Sequence, residues 1–376
     1  MNLRSKVLHG ATLLVGAFSL ASVSPSSAWA QADPFPFRVI DGAELQQLVP
    51  QSFAAEQSRV VRVPDAEWLQ VVFADFQLGE AGTLKIENLL NGDVQTFTQA
   101  ELESWSGASA VFDGDAVRIS LASPAGERAS YEIAEVVVGE ARGPAFTDCG
   151  ADDRVVSTDV RVGRLFPTGC TGWIVGQNTF LAAGHCFFPS SAPDAAPGAA
   201  RTRPTMLQFN VPRSNANGST NSPAARDQYP VVLTSVVGRN SGIGFDFAVY
   251  SVAANSETGL LPRDVQGDFF QLATTLPATS TQLTVVGFGS DDGAANLSLQ
   301  EAFGTLTRAT GSRISYNVDT RGGNSGSPVV SVNNQIAIGI HTHGGCSATG
   351  GSNSGTSSRY QPLVDAFNAS VTRNGR

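Results

Sequence analysis

Lysine, histidine and cysteine are scarce in this chain of 376 residues. The only lysines are Lys6 and Lys85, so almost every cation is an arginine. Cations do not cluster into a basic patch of the kind that binds nucleic acid, and we expect no nucleic-acid partner. The four cysteines include no CxxC pair, which argues against a metal or redox centre. We expect no cofactor, and the acidic loops show no calcium-ligand pattern.

Long apolar runs are missing beyond the N-terminus. Residues 1–30 have the parts of a secretory signal peptide: the cations Arg4 and Lys6, a short apolar stretch at 11–23, and an Ala-Trp-Ala cleavage site at 28–30. The alternative is a membrane anchor, but the apolar stretch is short for a span. We therefore predict a secreted protein, extracellular or periplasmic, with no membrane association after signal removal.

Charge is distributed unevenly along the rest of the chain. Residues 31–140 carry 18 acidic and 6 basic side chains, whereas residues 141–376 carry 15 acidic and 16 basic side chains. This difference favours two units at 31–140 and 141–376. A linker-like stretch at 139–144, which contains Gly and Pro, joins them.

The first unit has the pattern of a small antiparallel β-sandwich, with Asn-Gly and Asp-Gly turn signals between short strands. Strands are predicted at 68–78, 83–87, 94–97, 112–121 and 131–138. The unit contains no histidine, no cysteine and no catalytic constellation. Two interpretations stay open: a propeptide that assists folding and is then removed, or a permanent accessory domain that binds another molecule.

The second unit is also predicted to be all-β, with one C-terminal helix. The helix is indicated by Pro362 and by apolar residues at helical spacing from 363 to 371. The stretch between His185 and Gln228 is rich in Pro, Ala, Ser and Asn and is predicted to be mostly loop. Strands are predicted at 160–165, 172–175, 179–183, 231–237, 247–252, 281–288, 314–318, 329–332 and 335–340.

A serine among small residues is the candidate nucleophile. Residues 322–328 read Gly-Gly-Asn-Ser-Gly-Ser-Pro, and the glycines allow a tight turn around Ser325. Amide hydrogens in such a turn can hold the negative oxygen that forms during acyl transfer. A serine alone is a weak nucleophile, so it needs a base and an orienting acid.

The candidate base is His185, one of three histidines beyond the first thirty residues, with His341 and His343. It follows a predicted strand in the sequence Leu-Ala-Ala-Gly-His-Cys. The adjacent Cys186 lies sixteen residues after Cys170, a spacing that allows a disulfide to close one hairpin around the base.

The candidate acid is Asp246, which precedes a predicted strand and has apolar neighbours. A carboxylate in such surroundings is costly unless it is paired, and a histidine N–H is a suitable partner. The alternative is a strand-cap or turn role. Three other aspartates were considered as the acid, but each lies in a predicted loop: Asp227, Asp264 and Asp268.

The order His, Asp, Ser resembles that of the chymotrypsin-like (trypsin-fold) serine proteases. The motifs at 181–186, 245–249 and 323–328 are similar to the histidine, aspartate and serine motifs of that family, and the resemblance covers roughly residues 147–376. It implies an all-β fold of two six-stranded antiparallel β-barrels with a C-terminal helix, preceded in this chain by the small β-sandwich.

The resemblance also implies the role of each site residue. Ser325 would be the nucleophile, His185 the general acid/base and Asp246 the orienting acid. The amides of Gly323 and Ser325 would form the oxyanion hole. Substrates would be proteins or peptides, and we expect a monomer. The alternative is a pseudo-protease that kept the fold and lost the activity.

Two sequence features bear on activation and specificity. Asn324 stands where trypsins have the aspartate that pairs with a new N-terminal ammonium, so activation in the manner of trypsin is in doubt.

Asn324 and the segments around Cys170 and His341 are similar to secreted bacterial glutamyl endopeptidases. In that group a histidine and a threonine bind the substrate carboxylate, and the matching positions here are His341 and Thr320, with Thr342 beside them. Protonation of His341 would strengthen this contact.

A competing signal comes from Asp319, six residues before Ser325, where trypsins keep the aspartate that selects Arg and Lys. We predict cleavage after Glu or other acidic residues, with Arg/Lys cleavage as the alternative and a purely structural His341 as a further one. A function of another class also stays open, in which the first unit binds carbohydrate or a cell surface and the protease domain is inactive.

Cys149 and Cys346 are left to pair with each other by elimination. This disulfide would join the start of the second unit to a loop beside the substrate pocket. Two free thiols are the alternative.

Overall fold

A computed structural model describes residues 37–41, 57–124, 129–139, 146–188 and 203–375. The predicted signal peptide at 1–30 and residues 140–144 of the predicted linker lie outside these ranges. No helix within the described ranges is long and apolar enough to cross a membrane.

The first unit is a β-sandwich, as the alternating sequence pattern predicts. Its strands are β1 (Phe37–Asp41), β2 (Gln57–Arg62), β3 (Trp68–Gln77), β4 (Thr83–Asn88), β5 (Val94–Phe97), β6 (Phe112–Asp113), β7 (Ala116–Ala122) and β8 (Ser130–Gly139). They form two antiparallel sheets of four strands, in the orders β1-β8-β3-β6 and β2-β7-β4-β5. Side chains of both sheets, including Val71 and Ile86, belong to one buried hydrophobic cluster.

One helix of this unit, α1 (Gln99–Ser104), is absent from the sequence prediction. Its signal is nevertheless present in the sequence, because Thr98 and Glu101 form a capping box. The Thr98 amide donates to the Glu101 carboxylate over 2.7 Å, and the Glu101 amide donates to Thr98 Oγ1 over 3.4 Å.

The second unit begins with two short strands and a seven-stranded sheet. The short strands are β9 (Phe146–Thr147) and β10 (Val155–Val156). The strands of the sheet are β11 (Val162–Phe166), β12 (Cys170–Gly176), β13 (Thr179–Ala182), β14 (Met206–Gln208), β15 (Gln228–Pro230), β16 (Val237–Asn240) and β17 (Asp246–Tyr250). Their order is β15-β14-β11-β12-β13-β17-β16, and all the pairings are antiparallel.

The remaining strands form a second sheet and two short pairs. They are β18 (Gln282–Gly289), β19 (Ser298–Ala309), β20 (Arg313–Tyr316), β21 (Thr320–Arg321), β22 (Pro328–Ser331), β23 (Ile336–His343), β24 (Cys346–Ser347), β25 (Gly350–Gly351) and β26 (Asn353–Ser357). Six of them close a barrel in the order β19-β18-β22-β23-β26-β20, because β20 pairs with β19. The helices are α2 (Pro262–Gln266) and α3 (Gln361–Asn374), and α3 confirms the predicted C-terminal helix.

The expectation of two six-stranded barrels is met by only one of the two sheets. In the first sheet, a single isolated bridge between Val231 and Val252 joins the end of β15 to the end of β17. Pro230 ends β15 and has no N–H to donate to a ladder, so the pairing stays short there. The strand β19 was also missed by the sequence prediction.

The strand predicted at 231–237 is wrong. Val231 makes an isolated bridge and Val237 begins β16, but residues 233–235 between them form a turn of 3-10 helix. Ser235 Oγ donates to the carbonyl of Val232 over 2.6 Å. Such a local side-chain bond competes with a ladder, and it outweighs the strand preference of the valines.

A shared hydrophobic cluster fixes the two sheets against each other. It combines Trp173 and Phe247 of the first sheet with Val286 and Ile340 of the second. Leu363 of α3 belongs to the same cluster. The packing brings the end of β13, the start of β17 and the turn before β22 together, and these three places carry the candidate catalytic residues.

Candidate active site

His185 and Asp246 are joined by two hydrogen bonds. His185 lies in a short turn, Gly184–Cys186, directly after β13, and Asp246 begins β17. The pairing of β13 with β17 sets their separation. The Nδ1 atom of His185 lies 2.6 Å from one carboxylate oxygen of Asp246, and the His185 amide donates to the other oxygen over 3.0 Å. Both the ring and the backbone of the histidine are therefore fixed.

Asp246 is fully buried, yet its carboxylate has the partners that such a site requires. Its own backbone is held as well, because the Asp246 amide donates to Thr356 Oγ1 over 3.1 Å and that hydroxyl donates to the Asp246 carbonyl over 2.6 Å. Thr356 belongs to β26 of the closed barrel, so this pair of hydrogen bonds joins the two sheets at the acid.

Ser325 lies against the turn that carries His185. Its carbonyl accepts the Thr171 amide over 2.9 Å and lies 3.9 Å from the sulfur of Cys186. The Nε2 atom of His185 is buried and has no hydrogen-bond partner among the described residues. A ring held at Nδ1 and unpaired at Nε2 can take a proton from a group that enters its plane.

Two amides at the serine turn are also unpaired. Among the residues that the structure describes, neither Gly323 N–H nor Ser325 N–H donates a backbone hydrogen bond. Gly323 has a φ of +102°, and a Cβ there would lie 2.2 Å from the Phe288 carbonyl oxygen, so the position requires glycine. Two free donors in one tight turn can hold an oxyanion.

Both expected disulfides are present. Cys170 pairs with Cys186 and Cys149 pairs with Cys346, and no cysteine in the described ranges is free. The first bond fixes the turn of His185 to β12. The second joins the start of the second unit to the short strand β24, beyond β23.

His341 lies in β23 and is buried beside Tyr316. Its Nδ1 atom lies 2.7 Å from the Tyr316 hydroxyl, and its Nε2 atom has no partner within the described ranges. Burial, together with the nearby His343 and His185, lowers the pKa of His341 to about 3. The ring is therefore neutral at pH 7, in contrast to the protonated form considered from the sequence. Protonation would require a negative ligand nearby.

Thr320 and Thr342 lie with His341 on buried strands. Asn353 donates to Thr320 Oγ1 over 2.9 Å, and Thr342 Oγ1 lies 2.8 Å from the ring of His343. Sequence reasoning gave no role to Tyr316, His343 or Asn353. No local motif marks them, because the strand pairings of the closed barrel bring them to the site.

His343 makes the site richer in imidazole than the sequence suggested. Its Nδ1 atom lies 4.0 Å from the Asp246 carboxylate, and its ring centroid lies 6.0 Å from that of His185. Burial lowers the pKa of His343, although the charge of Asp246 opposes this effect. All three histidines considered from the sequence thus meet around the candidate nucleophile.

Asp319 is engaged with backbone rather than open to a ligand. One carboxylate oxygen accepts the Cys149 amide over 2.5 Å, and the other accepts the Asp153 amide over 3.0 Å. The side chain is 5% exposed. These contacts speak against Asp319 as the group that binds a substrate cation.

A network of ion pairs holds the segment before the serine turn. Arg321 binds Asp148 over 2.8 Å, Asp152 over 2.9 Å and Asp291 over 2.7 Å. Oxygens of Asp148, Asp152 and Asp319 lie close enough together for a metal ion. Arginine and backbone amides already use these oxygens, so the cluster is accounted for as a structural network.

A protein-family model described as a trypsin-like peptidase domain matches residues 170–340. The chain is similar to the glutamyl endopeptidase of Bacillus licheniformis, with 25% identity over 194 residues that cover 46% of this chain and 51% of that protein. It is also similar to the glutamyl endopeptidase of Staphylococcus aureus strain MW2, with 28% identity over 187 residues that cover 47% and 48%. The chain thus matches these curated relatives over about half of their length.

Solved structures with a similar fold include a Glu endopeptidase in complex with MPD, which is 20% identical in sequence with a TM-score of 0.46. That match covers 60% of this chain and 99% of the other. Another is a thermostable serine protease, AL20, with 16% identity and a TM-score of 0.45 over 57% and 99%. The match to the family model includes His185, Asp246 and Ser325.

Proposed function

Because residues 170–340 form a trypsin-like peptidase domain, we propose that the protein is a serine endopeptidase with Ser325, His185 and Asp246 as its catalytic triad. The observation that carries the proposal is the histidine itself. Its Nδ1 atom is held 2.6 Å from a buried carboxylate, its Nε2 atom is buried and unpaired, and the next residue, Cys186, lies against Ser325.

The reaction follows from these positions. Ser325 Oγ attacks the carbonyl carbon of the peptide as its proton moves to His185 Nε2. Asp246 stabilises the imidazolium that forms and keeps the ring in its orientation. The amides of Gly323 and Ser325 hold the negative oxygen of the tetrahedral intermediate. The imidazolium then gives its proton to the leaving amine, and an acyl-enzyme remains.

Water completes the cycle. His185 takes a proton from the attacking water, whose oxygen adds to the acyl carbon. Collapse of the second tetrahedral intermediate releases the carboxylic acid and returns the proton to Ser325 Oγ. Each step uses groups of this chain and water alone.

The proposed specificity is for Glu, or another acidic residue, before the cleaved bond. In the tautomer that we propose for His341, the Tyr316 hydroxyl donates to Nδ1 and Nε2–H is left as a donor for a substrate carboxylate. The neutral ring gains a proton when the carboxylate binds, because the ion pair offsets the cost of burial. Similarity to glutamyl endopeptidases supports the same substrate class. Arg/Lys cleavage is less favoured, since Asp319 uses both oxygens on backbone amides.

Export is proposed on independent grounds. Two disulfides in one chain are typical of proteins from an oxidising compartment. They agree with the secretory pattern predicted at 1–30, although those residues lie outside the described ranges.

Two measurements test the function. A serine-directed fluorophosphonate should label the protein at Ser325, and His185→Ala should abolish the label. Absence of label in the folded wild type would favour an inactive binding protein. Matched peptides with Glu, Gln, Asp, Arg or Phe before the reporter group then test specificity. Highest kcat/KM after Glu is expected, and highest kcat/KM after Arg would refute the acidic preference.

A further inference from the structure

The second unit, which contains the trypsin-like peptidase match, is called the protease unit below. The β-sandwich lies against one side of its first sheet. Phe166, Met206 and Ala225 of the protease unit belong to the same buried cluster as the sandwich core. The ring of Trp68 in the sandwich meets that of Phe166 edge-on, with centroids 4.4 Å apart. The two units thus share a continuous hydrophobic core, which is more than the contact of two independent domains.

Gln228 joins the two units as a strand neighbour would. Its side chain is fully buried. Its Oε1 atom accepts the Val111 amide over 2.9 Å, and its Nε2 atom donates to the Val111 carbonyl over 2.8 Å. A side chain of the protease unit therefore satisfies both backbone groups of a sandwich residue. If the two units separated, all of these groups would lose their partners and would have to be hydrated instead.

Carboxylates of the sandwich cap amides of the protease unit. Asp113 accepts the Ser222 amide on both oxygens over 2.9 Å, and Asp93 accepts the Ala225 amide over 2.8 Å. In the other direction, the ring N–H of Trp105 donates to the Ala254 carbonyl over 3.1 Å. The pairing is reciprocal and involves two separate segments of the protease unit.

The interface formed by these contacts between the sandwich and the protease unit, called the seam below, also contains a buried charge. Arg164 of β11 is 1% exposed and donates to Gln208 over 2.9 Å and to the Asn221 carbonyl over 2.9 Å. Burial lowers the pKa of Arg164 to about 10, and the charge of Asp113 opposes that effect. A buried guanidinium requires a nearby anion, and the sandwich contributes one.

The seam is separate from the cleft. Within the described ranges, no sandwich residue makes a hydrogen bond or an ion pair with His185, Asp246, Ser325 or His341. A propeptide that inhibits by occupying the cleft would make such contacts. The sandwich instead completes the side of the protease unit on which β11 and β14 lie.

We propose that the sandwich at 57–139 is a permanent domain of the mature protein, which stays bound to the protease unit even if the chain is cut at 140–144. Its partner is the surface formed by Phe166, Met206, Gln228 and the segments at 221–225 and 254–257. This goes beyond the proposed activity and does not depend on it.

The test uses the full chain with Ser325→Ala, so that the protein cannot cut itself. Residues 140–144 are replaced by the recognition sequence of an unrelated site-specific protease, and the cut protein is run on size exclusion. The two fragments should elute together in equal amounts and separate only in denaturant. Separation in native buffer, with the protease fragment still folded, would overturn the proposal.

A matched pair of aspartates sharpens the test. Asp113 caps an amide across the seam, whereas Asp115 pairs with Arg62 on the exposed surface of the same domain. Asp113→Ala should weaken association of the cut fragments by about 100-fold, the scale for removing one partner of a buried charge. Asp115→Ala should stay within about threefold of the parent. Equal effects of the two changes would contradict the proposed seam.

The same two substitutions can also be tested by thermal unfolding of the uncut chain. Asp113→Ala should lower the Tm of the protease unit, followed by its near-UV circular dichroism, whereas Asp115→Ala should leave it unchanged. If the protease unit keeps its Tm in both variants, the sandwich is an independent domain and the proposal fails.

Discussion

Several polar groups at the seam between the sandwich and the protease unit have hydrogen-bond partners across it, whereas three polar groups of the proposed catalytic cleft have no partner within the described ranges. At the seam, Gln228, Asp113 and Asp93 each have a partner across the interface. In the cleft, His185 Nε2 and the amides of Gly323 and Ser325 have none among the described residues. Buried groups without partners are costly, and a peptide bound beside Ser325 would supply partners for these three.

The same comparison separates aspartates that look alike in the sequence. Asp246 and Asp319 are both buried, and each accepts backbone amides. Only Asp246 also faces a histidine ring. Burial of an acid is therefore a weak guide to function, and the identity of its partner decides whether it serves the reaction or the fold.

The largest expected effect comes from removing the nucleophile. Ser325→Ala should lower kcat by roughly a millionfold, the scale for loss of a triad nucleophile. Its Tm should stay near that of the wild type, since the described structure gives the hydroxyl no partner to lose. Peptide hydrolysis and thermal unfolding measure the two quantities. Residual activity near the wild-type level would mean that another group attacks the peptide.

The two aspartates should respond differently to the same change. Asp246→Asn should lower kcat by roughly 10⁴-fold, because an amide cannot hold the imidazolium or fix its tautomer. Asp319→Asn should keep kcat within about tenfold and lower the stability, since an unpaired buried amide costs about 1–3 kcal/mol. A change from Glu to another preferred substrate in Asp319→Asn would restore the Arg/Lys interpretation.

At the seam the expected effect is on stability. Gln228→Leu leaves both backbone groups of Val111 without partners, so the free energy of unfolding should fall by about 3 kcal/mol. The exposed Gln361→Leu is the matched control and should change it by less than about 0.5 kcal/mol. Denaturant titration measures both, while kcat/KM reports on the cleft. A large drop in kcat/KM for folded Gln228→Leu would link the seam to the cleft.

His341 tests substrate recognition. His341→Gln removes the proposed cation beside the substrate carboxylate, so kcat/KM for Glu substrates should fall by between about 10- and 100-fold. Matched substrates with Gln in place of Glu should lose far less. An equal loss for both substrates would give His341 a structural role.

The smallest effect is the pH dependence of stability. The pKa of His341 is about 3 in the folded chain and 6.5 as its ordinary value, so between these values the unfolded chain binds a proton that the folded chain does not. Stability should therefore fall as the pH drops below 6.5, with this residue contributing about 2 kcal/mol by pH 5. His341→Gln should show a shallower decline. An identical decline would assign the acid sensitivity to other groups.

Much of the fold follows from local pattern. Strands such as β4 and β5 alternate in burial, and the C-terminal helix follows from the spacing of its apolar residues. The prediction failed at 231–237, where a serine hydroxyl bonds to a nearby carbonyl and turns the chain. It also missed β19, which pairs with the neighbouring strands β18 and β20 but whose burial alternates only over its first five residues.

The sequence alone determined which residues are candidates for catalysis. The serine turn, the histidine motif and an acid before a strand are local patterns, and their order along the chain resembles one protease fold. The tertiary structure alone decided which histidines meet, which aspartate faces His185, and how the sandwich joins the protease unit. Those outcomes depend on contacts between residues that are far apart in sequence, where packing and unpaired backbone groups select the partners.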